Sequence, residues 1–195
     1  MSTNGKSSHL ATWLRIWARD PLRVGAIAPS SAELARAMAR LVPMGSGPVI
    51  ELGGGTGVVT QALLEAGVPP GSLVVVEREP TLHKLLSERF RTVRVLAGDA
   101  GDLSALLRPL GLEPARAVIS GLPLLAISRE TQRRIVEAAL SVMAPEAPLI
   151  QFTYGFFSPI DREALGLTGE IADRVLANLP PARVWRYYRN GHAAA

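Results

Sequence analysis

The chain has 195 residues, enough for one sizeable domain, and its 48% hydrophobic and 19% charged residues exclude intrinsic disorder. It has no cysteine, which excludes disulfides and thiolate zinc sites, and no apolar run long enough to span a bilayer. The net charge of +4 is uneven: residues 1–23 and 183–195 each carry +3, so the body between them carries −2. Two basic ends on a mildly acidic body serve solubility, or they face a polyanion such as nucleic acid or an anionic membrane.

Taken in chain order, Ser7 or Ser8 can cap a helix that runs to about Asp20, where Pro21 follows. On it Leu10, Trp13, Leu14 and Trp17 recur at i, i+3, i+4 and i+7 and form one stripe, flanked by Arg15 and Arg19. Those arginines also interrupt the apolar stretch a signal peptide needs, so the expected location is cytoplasmic. The stripe fits a helix lying in a membrane interface, and it equally fits a helix packed on the domain. Arg23 to Ser31 is a strongly apolar loop, suited to closing over a ligand or to packing between helices. Ser30 or Ser31 caps a second helix through Val42.

The first core strand is the apolar run Pro48-Val49-Ile50, followed by the turn Glu51 to Gly57 and a helix over Val58–Leu64. Leu73–Val76 is a second strand ending in Glu77, with Arg78 beyond it, and Pro80 opens a helix to Phe90. Val93–Ala97 runs into Gly98-Asp99-Ala100, and Asp102 to Arg108 is a short helix. Ala117–Ile119 is a fourth strand that delivers Ser120-Gly121-Leu122-Pro123-Leu124. Ser128 caps the helix Glu130–Met143, and Leu149 to Phe156 is a fifth strand. Ile171, Asp173 and Val175 fit helix or strand, Asn178 to Pro181 is a turn, and Arg183–Arg189 is a last strand. Strands alternating with helices predict an α/β fold: a Rossmann-like, mostly parallel sheet with helices on both faces. An antiparallel C-terminal hairpin should extend one edge, and an extra amphipathic helix should precede the domain.

The turn Glu51-Leu52-Gly53-Gly54-Gly55-Thr56-Gly57 carries the chemistry. Strand, glycine turn and helix together cradle a ligand. The phosphate-binding Walker pattern needs Gly-Lys-Ser/Thr at its end, yet Val58 follows Gly57; the dinucleotide pattern needs a glycine where Val58 stands. What remains is E-x-G-x-G-x-G. Glu77 at the tip of the second strand can accept both ribose hydroxyls of an adenosine, and Asp99 stands at the tip of the third.

This arrangement resembles motif I of the class I methyltransferases. The resemblance implies S-adenosylmethionine as cofactor, S-adenosylhomocysteine as product and no metal. It implies contacts from Glu51, Gly53, Gly55, Gly57, Glu77, Arg78, Asp99, Ala100 and Ser120, with Asp99 facing the adenine amino group and Ser120–Leu124 bordering the transferred methyl. The aromatic-basic helix, the Val24–Ser31 loop, Ser120–Leu124 and Leu179–Trp185 narrow it further, being similar to the bacterial phospholipid N-methyltransferases. That family converts phosphatidylethanolamine stepwise to phosphatidylcholine. Two parts follow: residues 1–30 as a membrane-binding helix and substrate-side loop, and residues 31–195 as the methyltransferase domain. Trp13, Arg15, Trp17 and Arg19 would meet an anionic phospholipid surface on the inner face of the cell membrane, and Gly121 and Leu122 the amine. No nucleic acid and no obligate protein partner is implied.

The alternative is a relative of the ribosomal RNA adenine dimethyltransferases. It is disfavoured by Leu124, which stands where base-methylating enzymes carry a stacking aromatic. An alkylammonium must lose a proton before it can attack a methyl group. No general base is evident: His83 is a lone histidine in a helix. Tyr154 ends the fifth strand among Phe152, Phe156 and Phe157, as a packed aromatic cluster or as a ring offered to the growing positive charge.

Overall fold

The computed structural model describes residues 29–176 and 181–192. The expected N-terminal helix with Trp13, Arg15, Trp17 and Arg19, most of the Val24–Ser31 loop and most of the Asn178–Pro181 turn lie outside the described residues.

The elements run α1 (Pro29–Ala39), β1 (Val49–Leu52), α2 (Val58–Glu65), β2 (Leu73–Glu77), α3 (Pro80–Arg89), β3 (Arg94–Ala97), α4 (Leu103–Leu107), β4 (Ala117–Ser120), α5 (Arg129–Val142), β5 (Leu149–Thr153), β6 (Leu167–Val175) and β7 (Ala182–Arg189). One seven-stranded sheet has the order β3-β2-β1-β4-β5-β7-β6. The first five strands are mutually parallel, and β7 runs antiparallel to both β5 and β6. The segment around Ile171 is therefore strand, the outer half of the expected hairpin. Its residues alternate in exposure and carry Glu170, Asp173 and Arg174, as a solvated edge strand requires. The fifth strand stops at Thr153, short of Phe156, because the Gly155 amide donates to Thr153 Oγ1 and turns the chain.

Each central strand is buried on both faces, which is why β1, β2 and β4 begin as apolar runs before reaching Glu51, Glu77 and Ser120. On one face Ile50, Leu52, Val74, Val76 and Val118 pack with Leu103, Leu107, Ile135, Val136 and Ala139 of α4 and α5. On the other Val49, Val75, Ile119 and Ile150 pack with Leu34 and Met38 of α1, Ala62 and Leu63 of α2, and Leu86 of α3. Two expected helix starts hold: Ser128 Oγ accepts from the Thr131 amide at 3.2 Å, and Pro80 opens α3, under a Glu79 cap; α1 instead begins at Pro29, ahead of the expected Ser30 or Ser31 cap.

The chain leaves β1 for β2 and β3 on one side and returns to β4 and β5 on the other. The crevice between β1 and β4 is thus the topological switch point, where open α/β sheets bind ligands at their C-terminal strand ends. The registers Leu52↔Val76, Leu52↔Ser120, Ser120↔Gln151 and Gln151↔Trp185 set a row of side chains level with that crevice.

Arg189 fastens the antiparallel edge to the helical layer. Its guanidinium donates to the carbonyls of Leu140, Met143 and Ala144 at the C-terminal end of α5. Cations there satisfy the last carbonyls and oppose the helix dipole. Arg189→Ala should cost about 1.5–3 kcal/mol of stability, the range for hydrogen bonds from a charged donor. Urea unfolding of the two proteins checks this, and an unchanged midpoint would remove Arg189 from the fastening.

Candidate functional site

The glycine turn leaves β1 at Leu52 and enters α2 at Val58. Its glycines serve different ends. Gly55 has φ +55, which side chains rarely adopt, and a Cβ built on it would meet nothing nearer than the Gly53 carbonyl oxygen at 4.0 Å. That open side is where a ligand can approach the backbone. Gly57, with φ +83, turns the other way: a Cβ there would strike the Phe90 ring at the end of α3. Gly57 therefore permits close packing of the helices beneath the turn. Gly54 is likewise closed by Val75 and Leu86.

Two acids hold the turn. Glu77, at the tip of β2, accepts the Gly55 amide on Oε2 at 2.9 Å and the Glu79 amide on Oε1 at 2.8 Å. A carboxylate has about four lone-pair sites, so two remain for a ligand's hydroxyls. Glu51 is fully buried in β1 beneath α2, where Oε2 accepts the Thr60 hydroxyl at 2.7 Å. Its Oε1 is buried without a partner. Burial pushes this carboxyl up from 4.5 to about 8; hydrogen bonds from Thr60 oppose the rise, and the nearby Glu77 charge adds to it.

Asp99, beyond β3, accepts the Gly101 amide at 2.8 Å and Arg134 of α5 at 2.9 Å on Oδ1, and Arg78 at 3.3 Å on Oδ2. The Arg78 side chain is 79% exposed and reaches the site through this pair. Ala100 is buried in the turn that follows. Ser120 ends β4, nearly buried, and Gly121 continues the ladder by donating to the Leu52 carbonyl at 2.8 Å.

The Ser120–Leu124 segment is clamped by two buried glutamines. Gln151 Nε2 donates to the Leu122 carbonyl at 3.0 Å and to the Phe152 carbonyl at 2.8 Å. Gln132 Nε2 donates to the carbonyls of Leu124 at 3.2 Å and Pro159 at 2.6 Å. Leu122 O also accepts the Leu124 amide at 2.9 Å, so both of its lone pairs are used. Gln151 Oε1 is buried without a partner, in the same row as Ser120. Leu124 points into the core at 2% exposure. Tyr154, one residue past β5, is half-buried and meets Phe152 edge to face at 5.4 Å. Phe156 and Phe157 stand in solvent and do not join that pair.

Glu51, Gly53, Gly55, Gly57, Glu77, Asp99, Ala100, Ser120, Gly121 and Leu122 thus all lie at the C-terminal ends of β1 to β4. Sequence reasoning missed Thr60, Arg134, Gln132 and Gln151, which position them. Gln151 left a signal, a polar residue inside an apolar strand; the other three left none. A cavity of about 410 Å3 lies at the other end of the sheet against Pro48, Pro114 and Met143, away from these groups. Among the described residues no cluster of His, Asp or Glu could hold a metal ion.

The strand order, the glycine turn and the acids at successive strand tips define a class I S-adenosylmethionine-dependent methyltransferase. Solved structures share the fold. The 1,6-didemethyltoxoflavin-N1-methyltransferase of Burkholderia thailandensis, solved with S-adenosylhomocysteine, superposes at TM-score 0.66 with 15% identity, over 97% of this chain and 92% of its own. The N-methyltransferase NodS of Bradyrhizobium japonicum gives 0.62 and 16%, over 84% and 98%. CcbJ of Streptomyces caelestis gives 0.54 and 21%, over 77% of this chain and 61% of its own. No family model matches the chain. It is 36% identical to the ornithine lipid N-methyltransferase of Singulisphaera acidiphila over 134 residues, which is 67% of this chain and 70% of that one. The chain belongs to that enzyme's family.

The raised pKa of Glu51 makes a stability prediction. In the unfolded chain this carboxyl ionises near 4.5, and in the fold near 8. Between these values the fold retains a proton that the unfolded chain has released. Stability should therefore fall as pH rises from about 5 to 8, by up to about 1.4 kcal/mol per unit. Glu51→Gln keeps the shape and does not titrate, so it should remove that slope. Urea unfolding at several pH values without cofactor checks it, and parallel slopes for both proteins would refute it.

Proposed function

We propose that this methyltransferase acts on the amine of a membrane lipid, carrying phosphatidylethanolamine stepwise through its methylated forms towards phosphatidylcholine. The observation that carries the lipid reading is the 36% identity to an enzyme named for methylating ornithine lipid. Both lipids present a primary amine at a bilayer surface, which is the chemistry the two readings share. The RNA adenine alternative is not favoured. Leu124, where a base-stacking ring would stand, is turned into the core.

When bound, S-adenosylmethionine supplies an electrophilic methyl group on a sulfonium. The residues present fit it. The open side of Gly55 leaves room along the turn, and the free lone pairs of Glu77 suit ribose hydroxyls. Arg134 and Arg78 hold Asp99 at the third strand tip, where it would face the adenine amine, with Ala100 beside it. The unpartnered Glu51 Oε1 suits an ammonium, whose charge would draw the proton off this carboxyl. Cofactor affinity should consequently rise between pH 6 and 8.

On the acceptor side, the glutamine clamps keep Ser120–Leu124 in place, so that a lipid amine is positioned against the methyl. With Leu122 O occupied, Gly121, the Ser120 hydroxyl and Gln151 Oε1 remain as polar neighbours. Tyr154 offers its ring to the charge that grows on the nitrogen. Desolvation beside these groups lowers the cost of the neutral amine. A mono- or dimethylated amine retains a lone pair and can react again; the quaternary product cannot.

Residues 1–30, preceding the 31–195 domain, would hold the enzyme peripherally to the inner face of the cell membrane through Trp13, Trp17, Arg15 and Arg19. No helix among the described residues is long and apolar enough to cross a membrane.

Four measurements bear on this reading. Incubation with methyl-labelled cofactor, lipid vesicles and RNA together should label chloroform-extracted lipid; label in RNA alone would overturn it. Vesicles of phosphatidylethanolamine and of ornithine lipid, run in parallel, identify the head group. Glu77→Ala should weaken cofactor binding roughly tens- to hundred-fold by calorimetry, as a charge-assisted contact is lost and the turn loosens. An unchanged dissociation constant would exclude Glu77 from the site. Removing residues 1–20 should reduce sedimentation with anionic vesicles by roughly ten-fold or more, since each arginine contributes about 1 kcal/mol at such a surface. Full sedimentation of the truncated protein would make that helix ordinary packing.

A further inference from the structure

The described residues include five large hydrophobic side chains that stand in water: Met44, Leu125, Phe156, Phe157 and Leu176. Met44 lies before β1, at the N-terminal end of the parallel strands. The other four lie at the opposite end, where the cofactor turn opens. Phe156 and Phe157 are 77% and 85% exposed in the turn after β5. Leu125 follows the clamped Ser120–Leu124 segment, and its Cδ1 would lie 3.1 Å from a Cβ on Gly155, so it rests against that turn. Leu176 stands just past the end of β6.

The turn is fixed in this exposed state. Thr153 Oγ1 holds the Gly155 amide at 2.9 Å, and Arg183 Nη1 holds the Gly155 carbonyl at 3.0 Å. The same guanidinium lies over the Phe156 ring at 4.7 Å. The ladder sets Thr153, Arg183 and Arg174 side by side across β5, β7 and β6, with Arg174 exposed. The acid of this group, Asp173, accepts the Arg174 amide at 2.7 Å. Two rings in water beside two arginines, at the mouth of the site, form an apolar patch with a cationic rim. Rings that enter the acyl boundary while guanidinium groups stay at the phosphates match the chemistry of an anionic bilayer.

We propose that Phe156, Phe157 and Leu125, with Arg183 and Arg174, form a second membrane-docking surface, separate from the N-terminal stripe, that turns the mouth of the site towards an anionic phospholipid bilayer. The inference rests on the lipid-amine reading above. It explains why the exposed hydrophobics gather at one end of the sheet: a lipid amine stays at head-group depth, so the mouth must reach it there.

The chain has no cysteine, so Phe157→Cys in the full chain takes one environment-sensitive nitrobenzoxadiazole label. Vesicles of phosphatidylcholine with phosphatidylglycerol should shift its emission to the blue and raise its intensity. The same label on Met44→Cys should not respond. Pelleting of the protein with no change at position 157, or equal changes at both positions, overturns the proposal. A change at 157 on raising protein concentration without vesicles makes the patch an interface between copies and overturns it too. So does a vesicle response at 157 that emerges only once residues 1–20 are removed, which would make those residues the patch's cover.

The double variant Phe156→Ser, Phe157→Ser should lower vesicle partitioning roughly ten-fold with unchanged cofactor affinity, which certifies the fold. Unchanged partitioning overturns the proposal. Vesicle binding is read without methyl transfer, so the two readings fail separately. Label insertion without methyl in any lipid would sink the lipid-amine reading alone, and methyl in lipid without label insertion would sink the docking surface alone.

Discussion

A glycine turn can receive a ligand only if something holds it without covering it. Here two carboxyls do so from the side and from below. Glu77 accepts the Gly55 amide, and with the Glu79 amide on its other oxygen it ties the first and second strand tips together. A hydrogen bond to a carboxylate contributes about 1.5–3 kcal/mol, enough to fix one turn of backbone. Glu51 occupies the floor, buried and protonated at neutral pH, with one oxygen on Thr60 and one unpartnered. An unsatisfied buried acceptor is unfavourable in the empty protein, by about 1–3 kcal/mol. On the proposed reading, a cation arriving over the turn would remove that penalty and the proton together, which would link cofactor binding and folding stability through one side chain.

The same logic of holding by the backbone recurs on the acceptor side. Gln151 and Gln132 reach the loop after β4 from two different elements, a strand and a helix, and each grips a second carbonyl beyond it. The clamp on Leu124 turns that side chain into the core, under α5. The departure from the base-methylating pattern is therefore one of geometry as well as of residue type, because a ring at this position would have to displace core packing before it could stack on anything. The next side chain, Leu125, is the one that faces outward.

How much of this could be read from the chain depends on range. Strand β2, the proline-opened α3 and the Ser128 cap follow from local rules, and the structure places them within a residue or two of expectation. The ordered acids Glu51, Glu77 and Asp99 were legible because parallel strands bring each strand's C-terminal end to one edge, so position in the strand fixes position in space. Segment 167–175 was ambiguous because an edge strand may be polar on its exposed positions, which blurs the period of two. Thr60, Arg134 and Gln132 were illegible because their partners lie across layers, and no spacing rule links Arg134 of α5 to Asp99 beyond β3. Phe156 and Phe157 misled for the opposite reason. Composition places rings in a core, and only the turn closed by Thr153 and Arg183 reveals that these two were left outside.

The two ends of the sheet differ in a way that connects these observations. At the N-terminal strand ends lies a hollow of mixed lining, and among the described residues Met44 is the large hydrophobic side chain exposed there. At the C-terminal ends the strand tips carry acids that hold backbone amides, the loops between them are tied down by amides and a guanidinium, and apolar side chains face outward. A surface that only needed solubility would place charge at its rim and rings inside. Rigid loops carrying exposed rings suit a boundary where the medium itself changes from polar to apolar. An amine held at such a boundary is already partly desolvated, which lowers its affinity for a proton and frees the lone pair that methyl transfer requires. On the proposed lipid reading, the bilayer, together with Ser120–Leu124 and Tyr154, would lower the amine's proton affinity enough for water to take the proton, the task a general base would otherwise perform.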